Sequence, residues 1–344
     1  MKGKYAERLR PFTLALLLAA LFAVAVLCVC VGSVSIPPGE TFHAVLDAVM
    51  GRSDTAGVNS TIILGVRLPR VLTVALCGAA LSLCGAAMQG LLRNPLADGS
   101  TMGVSSGAAL GALTALLTGF YWPGFPLGGT TVMAIFFAFG SLLLILTLVF
   151  SLDHTLSTHS IILIGVIFSM FASSLMSLLI TFSGEKMKSL TFWTMGSFSG
   201  STYRHALLML GVLLVFGGIL LRHARELNAF AVSEQNARSI GVNVKRVKIT
   251  VLICASALIG TCVSIGGTIG FIGLVVPHIC RMMIGPNHRK LLPFCLIGGS
   301  VFLMLCDLAA RTILAPVELP VGVVTSLIGS VFFVVIFYRT RKGR

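Results

Sequence analysis

Charged side chains are scarce in this sequence. Asp, Glu, Lys and Arg make up 10% of 344 residues, against about 25% in an ordinary soluble domain. A soluble chain of this length has a large polar surface to cover, and so small a charged fraction excludes that class. The signatures of common catalytic sites are missing as well. No GxxxxGK(S/T) phosphate loop occurs, so nucleotide is not bound and hydrolysed in that way. No HExxH is present, and histidines 43, 154, 159, 205, 223, 278 and 288 are scattered at loops and helix ends. The nine cysteines form no CxxC pair, and nearly all lie inside apolar runs. There they read as small hydrophobes rather than as disulfides or metal ligands. No catalytic residue, metal site or cofactor is expected, and no low-complexity stretch or soluble domain interrupts the chain.

What is abundant is apolar: 56% of residues, with a mean hydropathy of +0.99. A transmembrane helix needs about 20 mostly apolar residues. Runs at 11–34, 68–92, 101–119, 128–150, 160–182, 205–221, 247–269, 271–284, 293–315 and 320–338 predict an all-α polytopic bundle of about ten spans. The run at 271–284 is short and carries Pro277, so no regular crossing helix is expected there. The first run is too long for a signal-peptide core and reads as a retained span. The net charge of +14 does not point to nucleic acid, because the basic residues cluster between apolar runs. With Lys2, Lys4, Arg8 and Arg10 at one end and Arg339, Arg341, Lys342 and Arg344 at the other, both termini are expected in the cytoplasm. That orientation puts 18 of the 25 Lys and Arg on the inner side.

Several groups are candidates for function. The inner insert 222–246 is longer than a connector requires, and Ser233, Asn236 and Gly241 suit a two-turn helix. It reads either as a docking surface for a cytoplasmic partner or as a solvated basic loop at the lipid headgroups. Ser169, Ser173, Ser177 and Thr181 recur every four residues on one helix face. They line a polar pathway or bond their own i−4 carbonyls and pack. Asp307 and Arg311 are spaced for an ion pair at membrane depth. Arg67 and Arg70 flank Leu68-Pro69 at the outer start of the second run. They snorkel, or they form a basic rim for an acidic partner. Small residues crowd the second run, from Gly78 to Gly90, as in tightly packed membrane helices.

The motif RLPR (67–70), followed by GAALSLCGAAMQGLLRNPLADGSTMGVSSGAALGA (78–112), resembles the signature of FecCD-type permeases. These are the membrane subunits of ABC importers for iron–siderophore complexes, haem and cobalamin. WTMGSF (193–198), Glu234–Gly241, GGTIGFIGLVVPHICRMMIGPNHR (266–289), Asp307–Arg311 and LPVGVVTSLIGSVFFVVIFYR (319–339) extend the likeness almost end to end. The resemblance implies one transmembrane permease domain over 1–344, working as a homodimer in a bacterial cytoplasmic membrane. Its expected partners are two cytoplasmic ABC ATPase subunits, an extracytoplasmic substrate-binding protein and membrane lipid, with no nucleic acid. By position, Arg67, Arg70 and Arg311 would pair with acids of the binding protein. The 228–241 segment, with Ser233, Glu234, Ala237, Arg238 and Gly241, would seat in the ATPase. The turns at 93–103 and 155–160, with Ser105, Ser106, Ser157 and Thr158, would form an inner gate. The serine stripe would face the pathway. The inner turn 151–160 departs from many relatives in having no Lys or Arg. The expected cargo is an iron–siderophore complex, with haem or cobalamin as the alternative. An ion-driven secondary transporter is the competing class.

Overall fold

The computed structural model describes residues 11–32, 34, 36–50, 57–99, 101–122, 128–153 and 157–342. The basic residues at 2–10, Arg52, Arg344 and part of the 155–160 turn lie outside that set. Every regular element among the described residues is helical. Seven helices are long and apolar enough to span a bilayer: Phe12–Cys30, Asn59–Leu92, Gly128–Leu152, Thr158–Thr181, Tyr203–Arg222, Val244–Gly266 and His288–Thr312. Three shorter apolar helices, Val104–Thr118, Ile272–Ile284 and Val321–Val335, complete ten. They are called the first to tenth spans below, in chain order. Four further α-helices among the described residues lie outside this set of spans: Pro38–Val49 before the second span, Met187–Thr194 after the fifth, and Ala224–Val232 and Glu234–Ser239 after the sixth.

The second and seventh spans form the centre of the bundle, 83% and 78% buried, whereas the first and fifth are peripheral at 11% and 17%. Small residues explain the central position. At the crossing of the second and ninth spans, a methyl group on Gly78 would collide with the Gly299 carbonyl oxygen, and one on Gly299 with that of Gly78. The two backbones therefore touch directly, the close approach that holds helices together where lipid offers no hydrophobic drive.

Two expectations change. The second span begins at Asn59 rather than at 68 and runs through a π-turn, Ile63–Arg67, into Leu68–Leu92. Arg67 and Arg70 interrupt the apolar run, but the backbone continues past them because both guanidinium groups find partners inside the protein. The eighth span, short as expected, is a continuous helix through Pro277. Proline has no N–H to offer the carbonyl four residues earlier, here that of Gly273. Gln89 on the second span supplies the donor instead, its Nε2 3.1 Å from the Gly273 oxygen. The Gln89 Oε1 in turn accepts from Arg281 at 2.9 Å, so this one amide ties the kink-prone helix to the central one.

Candidate functional sites

A cavity of about 730 Å³ opens among the second, third, fifth, seventh, eighth and tenth spans. Its wall carries seven hydroxyl residues, Ser105, Ser106, Ser173, Thr194, Thr268, Ser326 and Ser330, and one carboxylate, Asp98. No Lys, Arg or His lines it among the described residues. Three short pieces of non-helical backbone shape the wall. Asp98 closes the turn after the second span by accepting from the Thr101 amide, while Thr101 Oγ1 accepts from the Asp98 amide, both at 3.0 Å. Thr268 Oγ1 donates to the Thr194 carbonyl, joining the segment before the eighth span to the end of helix Met187–Thr194. Phe271 enters the eighth span in the left-handed region, with φ 67°, and lies against Gly329, where a side chain would have no room. Non-helical backbone at membrane depth is tolerated where it lines a cavity or is buried in protein.

The serine stripe divides. Ser173 lines this cavity, and Ser169 and Ser173 line a second, more open one of about 590 Å³ with Thr101 and Ser106. Ser177 and Thr181 are exposed and lie in neither; they donate to the carbonyls four residues back, at 3.0 and 2.8 Å. Of the four gate candidates, Ser105 and Ser106 reach the cavity. Ser157 instead caps the fifth span, accepting from the Ser160 amide at 3.2 Å, and Thr158 is that helix's first residue. Neither Ser157 nor Thr158 lines the two cavities. Thr194, Thr268, Ser326 and Ser330 were absent from the sequence-based site. Their signal lay in the stretches 193–198, 266–289 and 319–339, which carried the resemblance but gave no residue a role.

The inner insert folds as expected. Helix Ala224–Val232 is followed by Ser233, whose hydroxyl accepts from the Asn236 amide and starts helix Glu234–Ser239. Gly241, with φ 84°, ends it in the left-handed conformation that glycine adopts without strain. Ala237 is fully buried, while Arg238 faces outward and pairs with Glu234 at 3.2 Å. Glu234 also meets Lys248 at the base of the seventh span, both carboxylate oxygens lying 3.0 Å from Nζ. Asn228 Oδ1 accepts from the backbone amide of His288, 2.8 Å away, at the start of the ninth span. The exposed face carries two large apolar side chains, Val232 and Ile240.

Arg67, Arg70 and Arg311, expected at the outer face, do not form an exposed rim. Arg67, Arg70 and Arg311 are 4%, 5% and 3% exposed, because a cation at this depth must be paired or solvated. Asp307 holds two of them: Oδ1 lies 2.9 Å from Arg70 Nη2 and Oδ2 lies 3.0 Å from Arg311 Nε. Glu318, on the loop before the tenth span, takes the other edge of Arg70 with both oxygens on Nη1, at 3.0 and 2.9 Å. Arg67 donates to the carbonyls of Val29, Cys30 and Val34, and Arg311 to those of Cys28 and Val31. Cys28, Val29 and Cys30 are in the last turn of the first span, whose carbonyls lack helical partners, and a cation there suits the helix dipole. The peripheral first span is thus anchored at its end. The three arginines and Glu318 line a small opening of about 60 Å³.

The model of the FecCD transport family matches residues 17–339. The chain is 41% identical over 318 residues to the ABC transporter permease protein YvrB of Bacillus subtilis (strain 168), covering 91% of this chain and 89% of that one. It is 37% identical to the molybdate import system permease protein MolB of Haemophilus influenzae, covering 83% of each. The hemin transport system permease protein HmuU of Yersinia pestis is 37% identical, over 82% of this chain and 84% of that one. A solved structure described as an inward-facing metal-chelate type ABC transporter superposes with a TM-score of 0.83 at 34% identity, covering 96% of this chain and 100% of that one.

Proposed function

The chain belongs to the FecCD transport family, and from that premise we propose that it forms the translocation pathway of an ABC importer for a bulky metal chelate of the iron–siderophore class. The observation that carries this reading is the cavity of about 730 Å³ walled by hydroxyls and aliphatic side chains without a basic group. Such a wall passes a large polar complex without holding it, since among the described residues its one charged group is Asp98, whose carboxylate is engaged by the Thr101 amide. Specificity then rests on a substrate-binding protein, and the chain has no reaction of its own to catalyse. Haem and cobalamin fit the same wall, and a relative named for hemin transport supports this second reading. Free molybdate, the cargo in another relative's name, fits it less well, because a small dianion finds no cation in the lining.

The energy comes from ATPase subunits on separate chains. The Ala224–Val232 and Glu234–Ser239 helices offer them exposed Val232, Arg238 and Ile240, and Glu234–Lys248 passes their motion to the seventh span. Two copies of the chain enclose the path, in a bacterial cytoplasmic membrane with both termini inside. At the opposite face the Arg67–Arg70–Arg311 cluster receives acidic groups of the binding protein. Relatives named as ABC permeases argue against the ion-driven class. Uptake of radiolabelled ferric siderophore into vesicles holding the permease, its ATPase and its binding protein tests this. Uptake is expected to need ATP and to be outcompeted by neither haem nor cobalamin. Undiminished uptake after the ATPase is removed would overturn it.

A further inference from the structure

We propose that Glu318 is a built-in competitor at the outer face, a carboxylate that holds the place of an acidic side chain of the substrate-binding protein and gives way when that protein docks. The inference rests on the docking reading above and adds the residue that sets its affinity. Among the described residues the cluster contains three guanidinium groups and two carboxylates, Asp307 and Glu318, so it is one negative charge short. Arg67 has only backbone carbonyls as partners among the described residues. A partner's carboxylate therefore adds charge the cluster lacks.

The two carboxylates differ in how they are held. Asp307 sits inside the ninth span, its side chain 2% exposed, and bridges Arg70 and Arg311. Its removal takes the shared carboxylate from two buried cations. Among the described residues Glu318 pairs with Arg70 alone; its side chain is 33% exposed, and it stands on the short loop between the ninth and tenth spans. Glu318 lines the small opening together with Arg67, Arg70 and Arg311. Rotating Glu318 outward bares Arg70 Nη1 while Asp307 keeps the guanidinium fixed on its other edge. An incoming carboxylate then finds a pre-oriented fork, the arrangement that makes arginine–carboxylate bonds strong. Ile313, Leu314 and Val317 are exposed on the same loop, and an apolar collar of this kind excludes water from a polar contact at the centre of an interface.

The competition has a definite sign. Each docking event must break the Arg70–Glu318 pair, so removing the Glu318 charge strengthens docking, whereas a structural role would leave docking unchanged or weaken it. The test measures binding of the purified substrate-binding protein of the same importer to the permease–ATPase complex in nanodiscs, at low salt. Glu318→Gln is expected to tighten binding roughly two- to fivefold, the size of a part-exposed ion pair. Glu318→Ala is expected to act in the same direction, and Arg67→Gln to weaken binding. A thermal melt of each variant confirms that it is folded, and Glu318→Ala serves if Glu318→Gln is not. If Arg67→Gln weakens binding but neither Glu318 variant tightens it, Glu318 is no competitor while the docking reading stands. If Arg67→Gln leaves binding unchanged, the docking reading fails and the competitor falls with it. If acetate or anionic lipid raises the melting point of Glu318→Gln while affinity for the binding protein is unchanged, the site takes a small anion instead, and the proposal is overturned.

Discussion

Glu234 and Lys248 form a two-point ion pair across the junction of the inner helix and the seventh span, with the lysine side chain 0% and the glutamate 28% exposed. The asymmetry decides which partner matters. Removing one member of a buried pair leaves the other uncompensated, at a cost of about 3–5 kcal/mol when both are buried. Here Glu234→Gln takes a two-point carboxylate contact from a fully buried cation, while Lys248→Met leaves a carboxylate that reaches water and still has Arg238 at 3.2 Å.

We expect Glu234→Gln to lower unfolding stability by about 1–3 kcal/mol, scaled down for its partial exposure, and Lys248→Met to cost less. The double variant should recover part of the Glu234→Gln loss, because the buried charge is gone. Thermal unfolding of the four proteins in one detergent checks the order. A Lys248→Met loss larger than that of Glu234→Gln would refute it.

A second prediction concerns the proline in the eighth span. Gln89 donates to the Gly273 carbonyl that Pro277 leaves without a helical partner, and its oxygen accepts from Arg281. Gln89→Ala removes both bonds, and an unsatisfied buried polar group costs about 1–3 kcal/mol. Pro277→Ala gives Gly273 its backbone donor back. The cost of Gln89→Ala should therefore be smaller in the Pro277→Ala background, a coupling that a double-mutant cycle on melting data measures. Additive losses would mean that Gln89 does not replace the missing N–H.

These two relationships show what could be read from the sequence and what could not. The ten apolar segments were legible because lipid imposes length and hydropathy on each span separately. The inner helix was legible because Ser233, Asn236 and Gly241 carry local cap chemistry. The start of the second span was not, since Arg67 and Arg70 look like a boundary until residues 237 and 248 positions away supply Asp307 and Glu318 to Arg70. The continuity of the eighth span depended in the same way on Gln89, 184 positions from Gly273. The wall of the cavity was half legible. Ser173 belonged to a visible stripe, but Thr194, Thr268 and Ser326 come from three separate segments that only tertiary packing brings together.

The cavity wall leads to the third prediction. Ser173 and Ser326 line the large cavity from the fifth and tenth spans, whereas Thr325, one residue away from Ser326, is fully buried and donates to the Gly322 carbonyl at 3.1 Å. Among the nine native thiols, eight are buried and Cys30 is partly so, which keeps the background of a charged, membrane-impermeant thiol reagent low. Ser173→Cys and Ser326→Cys should therefore react at least about tenfold faster than Thr325→Cys, since thiol reactivity follows exposure to water. Cargo or the closing of the ATPase pair should slow the first two and leave the third unchanged. Equal rates at Ser326→Cys and Thr325→Cys would show that water does not enter the cavity, and the hydroxyl wall would then be packing rather than a path.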